Sequence, residues 1–240
     1  MHESTVIIGA GRVGTTIAAR LPGARLFGRE RPDLTGCERL VLATPDGAIR
    51  EVCEALAAEL PAGCAVVHLS GATSIRALDA APGPTACVHP LQTIWPELGP
   101  DQLEGAYAAV TGDAALGDRF ARQLGLTPFP LEDDAKPLYH AASAFASNYL
   151  VTLTHVAARL MQEAGVGEEL AFAALRPIQR RTVEVAAEPP TGPIARGDAA
   201  TVRAHLAAID GDLAPLYREL GRATLPLVSP ASADAVRELL

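Results

Sequence analysis

The sequence lacks the marks of a membrane or secreted protein. No stretch approaches the roughly 18 consecutive apolar residues that a membrane-spanning helix needs. The N-terminus has no basic region followed by an apolar run and a small-residue cleavage site, and strand-like residues already begin at Thr5. We therefore expect a soluble protein of the cytoplasm with no membrane partner.

Cysteine and positive charge are also in short supply. The four cysteines are irregularly spaced and form no CxxC or Cys/His pairing, so we expect reduced, buried thiols, no disulfide framework and no metal site. The formal net charge is −8. The arginines occur in short groups without a basic stripe interleaved with aromatic residues, which argues against a nucleic-acid partner.

The first part of the chain alternates short apolar runs with helical patterns. Strands alternating with helices predict an α/β fold with a Rossmann-type, doubly wound parallel sheet over residues 1–131. The predicted strands are 5–8, 25–27, 40–43, 65–69, 85–88, 107–111 and 127–131.

Strand signals stop after residue 131. Helical patterns cover 138–164, 168–187 with a kink at Pro177, 198–220 with Pro215 placed to interrupt it, and 231–240. They predict an all-helical C-terminal domain over 132–240. This domain is apolar for so few turns, so we expect it to pack against a second copy as a homodimer.

A glycine-rich turn follows the first strand. Gly9, Gly11 and Gly14 fit GxGxxG, and the turn opens a helix with Val13 and Ile17 on one face. The first glycine allows the tight turn, the second lets a pyrophosphate approach, and the third lets the helix lie close to the strand. The alternative is a glycine turn without a ligand.

Arginines near this turn favour NADP(H) over NAD(H). Arg29 lies closest to the position that selects the cofactor, Arg31 follows, and Arg12 is in the turn, whereas Glu30 is a competing signal for NAD. The alternative for Arg29 and Arg31 is that they are solvated loop charges. The predicted cofactor-binding residues are Gly9, Ala10, Gly11, Arg12, Val13, Gly14, Arg29, Ala43, Thr44, Pro45 and Ser70.

Polar side chains also follow the fourth and fifth strands. Ligands of open α/β sheets bind beyond the carboxyl ends of the strands. Ser70, His89, Gln92 and Thr93 lie there, so we expect them around a substrate carbonyl, with His89 as a proton-transfer residue. The alternative for His89 is a turn histidine bonded to the backbone.

A polar stripe marks the start of the helical part. Lys136, His140, Ser143 and Ser147 recur at i, i+4, i+7 and i+11, so they share one helix face, and Asn148 lies beside it. This face indicates either a solvated surface or a cleft in which Lys136 or His140 protonates the reduced group. The alternative for Lys136 is that it is a surface lysine in the first turn of the helix.

The segment 191–198 joins two predicted helices and carries Arg196. Arginine suits bidentate binding of a carboxylate, so Arg196 is a candidate substrate residue. Alternatively the segment is a connector, with Asp198 capping the next helix.

Four stretches together resemble the DUF2520 family of Rossmann-like proteins with a helical C-terminal domain. They read IIGAGRVG, HPLQT, KPLYHAASAFASNYL and TGPIARGD. The family is similar to ketopantoate reductase, pyrroline-5-carboxylate reductase and the 6-phosphogluconate and β-hydroxyacid dehydrogenases. The resemblance implies NADPH, hydride transfer to C=O or C=N, and a helical dimerisation domain.

The resemblance also suggests residue roles. Lys136 and Asn148 are the nearest matches to the catalytic Lys and Asn of ketopantoate reductases. HPLQT is similar to the His-Pro-Met motif of prephenate dehydrogenases, which gives His89 a contact to the substrate hydroxyl.

Three classes of function remain open. We rank reduction of a ketopantoate-like 2-oxo acid first, and a cyclic imine or a prephenate-type substrate second. A non-catalytic NADP-binding sensor, or a protein that binds a partner as a dimer, is the rival of another class. A flavin or deazaflavin on the same fold is a further alternative cofactor.

Overall fold

The computed structural model describes residues 4–209 and 211–240. The chain divides into two compact units, one up to Asn148 and one from Tyr149 onward. The first unit contains a seven-stranded sheet in the order β2-β1-β3-β4-β5-β6-β7. Its strands are β1 (Thr5–Ile8), β2 (Arg25–Phe27), β3 (Arg39–Leu42), β4 (Ala65–His68), β5 (Thr85–Leu91), β6 (Tyr107–Gly112) and β7 (Thr127–Pro130).

The sheet is parallel except between β5 and β6, which pair antiparallel. The chain reverses its direction of winding at β1, because β2 pairs on one side of it and β3 on the other. In open α/β sheets this switch point is where a ligand can reach the carboxyl ends of two diverging strands. The predicted Rossmann-type sheet is confirmed.

Apolar side chains cover both faces of the sheet, which is why its central strands read as continuous apolar runs. Ile7, Val41 and Val67 face one core with Phe120. Leu40 and Leu42 face the other core with Cys53. All four cysteines are buried and reduced.

Nine α-helices complete the described part of the chain. They are α1 (Arg12–Arg20), α2 (Ile49–Leu56), α3 (Ala114–Gln123), α4 (Lys136–Ala146), α5 (Asn148–Glu163), α6 (Glu168–Glu184), α7 (Ala199–Ala208), α8 (Leu213–Thr224) and α9 (Pro230–Val236). In the second unit, Val202 of α7, Val236 of α9 and the C-terminal Leu240 form a small buried core.

Two of the long predicted helices are each divided in the structure. The pattern over 138–164 breaks at Ser147, whose φ of −120° and ψ of −71° are not helical. The pattern over 198–220 breaks before Leu213, next to Gly211 with a φ of +64°. The prediction that Pro215 interrupts this helix is therefore wrong. Pro215 lies in the first turn of α8, where a missing N–H costs no helical hydrogen bond.

The first unit extends past the predicted boundary at residue 131, because α4 packs with the sheet. Lys136, the only lysine of the chain, begins α4 and is 1% exposed. Its Nζ donates to the carbonyl of Thr73 at 2.7 Å, to that of Ser70 at 3.2 Å and to Cys87 Sγ at 2.9 Å. A buried ammonium thus ties α4 to the turn after β4.

Asp133 strengthens the same connection from the residues just before α4. One carboxylate oxygen accepts from Ser74 Oγ at 2.5 Å, and the other accepts from the Ile75 amide at 2.8 Å. These bonds hold the pKa of Asp133 below its ordinary value, against the effect of burial. We call residues 70–75 together with Asp133 and Lys136 the turn clamp.

Replacing Lys136 with Met is expected to lower the free energy of unfolding by about 2–4 kcal/mol. The Thr73 carbonyl loses its donor and the Ser70 carbonyl keeps only the Cys87 thiol at 3.1 Å, and each unsatisfied buried group costs about 1–3 kcal/mol. Urea unfolding measures the change. Arg122→Met, at an exposed position on α3, is the control and should stay within about 0.5 kcal/mol of the native chain. Equal stability of the Lys136 variant and the native chain would show that the clamp does not stabilise the fold.

Candidate functional site

Two glycines of the first turn are required by close backbone contacts. The Gly9 amide donates to the Phe27 carbonyl at 2.8 Å, and Gly9 has a φ of +112°. A β-carbon at residue 9 would collide with the backbone of Ala43 and Thr44, and one at residue 14 with the Gly9 carbonyl. The turn therefore packs directly against the end of β3 and the start of α1.

Open space lies in front of the remaining glycine. A β-carbon at Gly11 would meet no atom within 4 Å, and Gly11 caps α1 without a side-chain hydrogen bond. The amides of the first helical turn are therefore available to an anionic group. Thr44 Oγ1 is buried beside this turn and has no hydrogen-bond partner among the described residues. These observations fit a dinucleotide.

The other predicted cofactor residues surround this turn. Ala10 and Arg12 are exposed, and the Arg12 guanidinium lies 4.1 Å above the centre of the Trp95 ring. Val13 is half-buried against the core, and Pro45 is exposed at the end of β3. Ser70 Oγ is committed to its own turn, since it accepts from the Thr73 amide at 2.9 Å.

Three charged residues follow β2, namely Arg29, Glu30 and Arg31, and they differ in their contacts. Glu30 accepts from the Gly28 amide at 2.8 Å, and this bond holds the pKa of Glu30 below its ordinary value. Arg31 is ion-paired with Glu59 at 3.0 Å. The side chain of Arg29 is exposed and has no hydrogen bond or ion pair among the described residues, which leaves its guanidinium available to a ligand.

His89 lies on β5, past the point where that strand stops pairing with β4. β5 pairs with β4 only as far as Cys87, but it continues to Leu91 along β6. The His89 side chain is thus held by strand geometry at the carboxyl end of the parallel strands. Its Nδ1 lies 2.7 Å from the Tyr139 hydroxyl of α4.

Three members of the predicted polar stripe, His140, Ser143 and Ser147, line one cleft in the first unit together with the HPLQT segment. The cleft has a volume of about 320 Å³. Thr93 Oγ1 and Ser147 Oγ are 2.9 Å apart, and Gln92 Nε2 donates to the Gln102 carbonyl at 3.2 Å. Seven of the predicted residues line this cleft: His89, Gln92, Thr93, His140, Ser143, Ser147 and Asn148, the first residue of α5.

Lys136 and Arg196 lie elsewhere. Lys136 does not line the cleft, since its ammonium is buried in the turn clamp. Arg196 belongs to the second unit and is exposed in the turn before α7. The predicted helix cap in that turn is present, because Asp198 accepts from the Thr201 amide at 3.0 Å.

Gly71 is a site residue that the sequence analysis did not single out. A β-carbon there would lie 2.9 Å from His89 Nε2 and 3.0 Å from His140 Nδ1. Both imidazoles therefore rest against the Gly71 backbone. In the sequence, only its position directly after Ser70 pointed to it. A single glycine after a strand is too common to signal such a contact.

Burial keeps the site's central groups uncharged at neutral pH. The pKa of His89 is lowered to about 4, chiefly by burial and then by the nearby His140 and Lys136. Burial raises the pKa of Tyr139 to about 12. The pKa of His68, wholly buried in β4, is lowered to about 3 by burial and then by Lys136. A neutral imidazole has one donor and one acceptor nitrogen.

Residues 106–224 match the family model described as Domain of unknown function (DUF2520). The matched segment runs from the edge of β6 to the end of α8, and it contains α4 with the whole polar stripe. No curated protein sequence matches the chain. Within the described residues, no helix is both long and apolar enough to cross a membrane.

Solved structures share the fold at low identity. A candidate NADP oxidoreductase, BF3122 of Bacteroides fragilis, is 19% identical with a TM-score of 0.74, covering 93% of this chain and 98% of that one. A pyrroline-5-carboxylate reductase from Coxiella burnetii is 15% identical, with a TM-score of 0.60 and coverages of 100% and 99%.

A third structure holds a nicotinamide cofactor. It is a reductive aminase from Aspergillus terreus in complex with NADPH and ethyl-5-oxohexanoate. It is 13% identical with a TM-score of 0.65, and both chains are covered completely. These likenesses show a Rossmann-type α/β fold followed by a helical C-terminal region.

The lowered histidine pKa values predict that stability falls in acid. Below pH 6.5 His68 becomes protonated in the unfolded chain, whereas in the folded chain it stays neutral until about pH 3. The unfolded state therefore binds more protons in this window. The free energy of unfolding should therefore decrease from pH 7 to pH 5, by up to about 1.4 kcal/mol per pH unit for each such histidine.

Urea unfolding at several pH values measures this slope. His68→Gln should flatten it, whereas His155→Gln, at an exposed position on α5, should leave it unchanged. An unaltered slope in the His68 variant would show that this histidine does not resist protonation.

Proposed function

We propose that the protein is an NADPH-dependent oxidoreductase that transfers hydride to a C=O or C=N carbon of a small substrate. The observation that carries the proposal is the meeting of His89 and His140 over Gly71. They lie in a polar cleft of the unit that contains the dinucleotide turn. Parallel strands bring the residues that follow β1, β3, β4 and β5 to one edge of the sheet, which supports a shared site.

The cofactor assignment rests on the open turn. A bound nicotinamide dinucleotide supplies the hydride. Gly9, Gly11 and Gly14 would admit its pyrophosphate to the amides of α1, and Ala43, Thr44 and Pro45 would flank it at the end of β3. Arg29, with Arg12, favours the 2′-phosphate of NADP(H) over NAD(H). The NADPH complex of the reductive aminase supports the same choice.

Proton delivery is assigned to His89 and His140 rather than to Lys136. Reduction of C=O or C=N leaves a basic oxygen or nitrogen that needs a proton. The imidazoles line the cleft, whereas the Lys136 ammonium already has three partners inside the turn clamp. Lys136 then contributes by holding Gly71 and its neighbours in place.

Two substrate classes fit the cleft. A 2-oxo acid, ketopantoate-like in size, would be oriented by the polar side chains that line the cleft: Gln92, Thr93, Ser143, Ser147 and Asn148. A cyclic imine is the second class, and it is favoured by the structural likeness to pyrroline-5-carboxylate reductase.

We also propose that the helical unit forms a homodimer. The helices α5 and α6 expose large apolar side chains: Val151, Leu170, Ile178 and Val183 are each more than half exposed. Exposed apolar faces of this kind are typical of subunit interfaces. Light scattering at micromolar concentration tests this proposal, and a monomer would contradict it.

The function is tested by following NADPH absorbance with panels of 2-oxo acids and cyclic imines. One class should be reduced. Replacing His89 with Gln should lower kcat by at least about 100-fold, because a positioned acid or base contributes about 10² to 10⁴. The Kd for NADPH should stay within twofold, and His155→Gln is the matched control. NADPH binding without turnover of any compound would favour the non-catalytic sensor.

The cofactor preference is tested at Arg29. Arg29→Ala should raise the Kd for NADPH about tenfold, because a charge-assisted hydrogen bond to the 2′-phosphate is worth about 1.5–3 kcal/mol. The Kd for NADH should hardly change. Arg31→Ala is the control, since Arg31 is paired with Glu59. An unchanged ratio of the two Kd values in the Arg29 variant would refute the assignment.

A further inference from the structure

We propose that Tyr139 is a positioning residue for the proposed reaction: its hydroxyl donates to Nδ1 of His89 and leaves the Nε2–H of that imidazole directed over Gly71. The inference rests on the proposed function of His89. Its structural part, the tautomer of His89, stands on contacts within the first unit alone.

The phenol ring of Tyr139 is held on two sides. Its hydroxyl lies 2.7 Å from His89 Nδ1, and the two ring centres are 5.5 Å apart at an interplanar angle of 88°. Phe129 of β7 packs against the same ring, with 6.1 Å between centres and an angle of 66°. These edge-on contacts restrict the ring, so the hydroxyl points at one nitrogen of His89.

The charge states of the two partners allow the proposed direction, which pairs the phenol O–H, the stronger donor, with a bare imidazole nitrogen, the stronger acceptor. Tyr139 keeps its proton at neutral pH because burial raises its pKa to about 12. His89 is uncharged there because burial lowers its pKa to about 4. A phenol that donates to Nδ1 requires the single imidazole proton to be on Nε2.

The Nε2 edge lies on the Gly71 side of the ring. It is 2.9 Å from the place a β-carbon of residue 71 would take, and His140 Nδ1 is 3.0 Å from the same point. The two imidazole nitrogens thus converge over the turn clamp. A donor fixed there can hydrogen-bond to the oxygen or nitrogen that becomes basic on reduction. When the Nε2 proton moves to that atom, the hydroxyl proton of Tyr139 moves to Nδ1, so the imidazole stays neutral, and the phenolate regains a proton from solvent. An imidazole that exchanged between its two tautomers would present a lone pair on Nε2, instead of the N–H, for part of the time.

The second unit contains a matched control. His205 Nδ1 lies 2.9 Å from the Tyr217 hydroxyl, with ring centres 5.8 Å apart at 89°. This pair repeats the chemistry of His89 and Tyr139 outside the candidate site. A change caused by loss of any Tyr–His bond can therefore be separated from a change that belongs to the site.

The tautomer is read by NMR of the chain labelled with ¹⁵N-histidine at neutral pH. We expect His89 with a protonated Nε2 and a bare Nδ1. Tyr139→Phe should convert His89 to a mixture of tautomers and leave His205 unchanged, whereas Tyr217→Phe should do the reverse. A native His89 with its proton on Nδ1, or a pure Nε2–H form that survives Tyr139→Phe, would overturn the proposal. The native spectrum decides the tautomer even if the variant does not fold.

The positioning role is read in the kinetics. Tyr139→Phe should lower kcat at least about tenfold, with KM and the Kd for NADPH within twofold, because a misplaced tautomer impairs proton transfer rather than binding. Tyr217→Phe should keep kcat. An unchanged kcat in Tyr139→Phe would remove the role. If the native chain reduces no substrate, the proposed function fails, but the NMR result still decides whether Tyr139 sets the tautomer.

Discussion

The buried ammonium of Lys136 is the contact on which the candidate site depends. It joins the first residue of α4 to the carbonyls of Ser70 and Thr73 and to the thiol of Cys87. Because α4 carries His140 and Tyr139, and the turn carries Gly71, one side chain sets the spacing between the two sides of the site. A buried charge is tolerated here because its hydrogen bonds are made.

Burial and hydrogen bonding together define the chemistry of the imidazoles. His68 and His89 lie on strands within or beside the core, where desolvation disfavours their charged forms. Neutral imidazoles offer one donor and one acceptor each, so their usefulness depends on which nitrogen carries the proton. In the proposal the neighbours of His89 decide this point, since Tyr139 faces one nitrogen and Gly71 lies by the other.

The charged residues that follow β2 show how tertiary contacts distinguish side chains that look alike in the sequence. In the sequence Arg29 and Arg31 both lie near the position that selects the cofactor, with Arg29 closest to it. In the structure Arg31 is tied to Glu59, and Glu30 folds back onto the Gly28 amide. Of these three side chains, only that of Arg29 is exposed without a hydrogen bond or ion pair among the described residues. A surface ion pair contributes little stability, but it removes Arg31 from competition for a ligand.

The sequence by itself determined the sheet, the glycine turn and the polar stripe. Apolar periodicity and turn glycines are local signals, and all seven predicted strands are present within a few residues. The antiparallel pairing of β6, the breaks at Ser147 and before Leu213, and the place of α4 in the first unit were decided by tertiary structure. So were the partners of Lys136, Gly71 and Tyr139. The hydrogen bonds of Lys136 and the one between Tyr139 and His89 join residues about 50 to 70 positions apart, and no local pattern encodes which distant group will satisfy a buried polar atom.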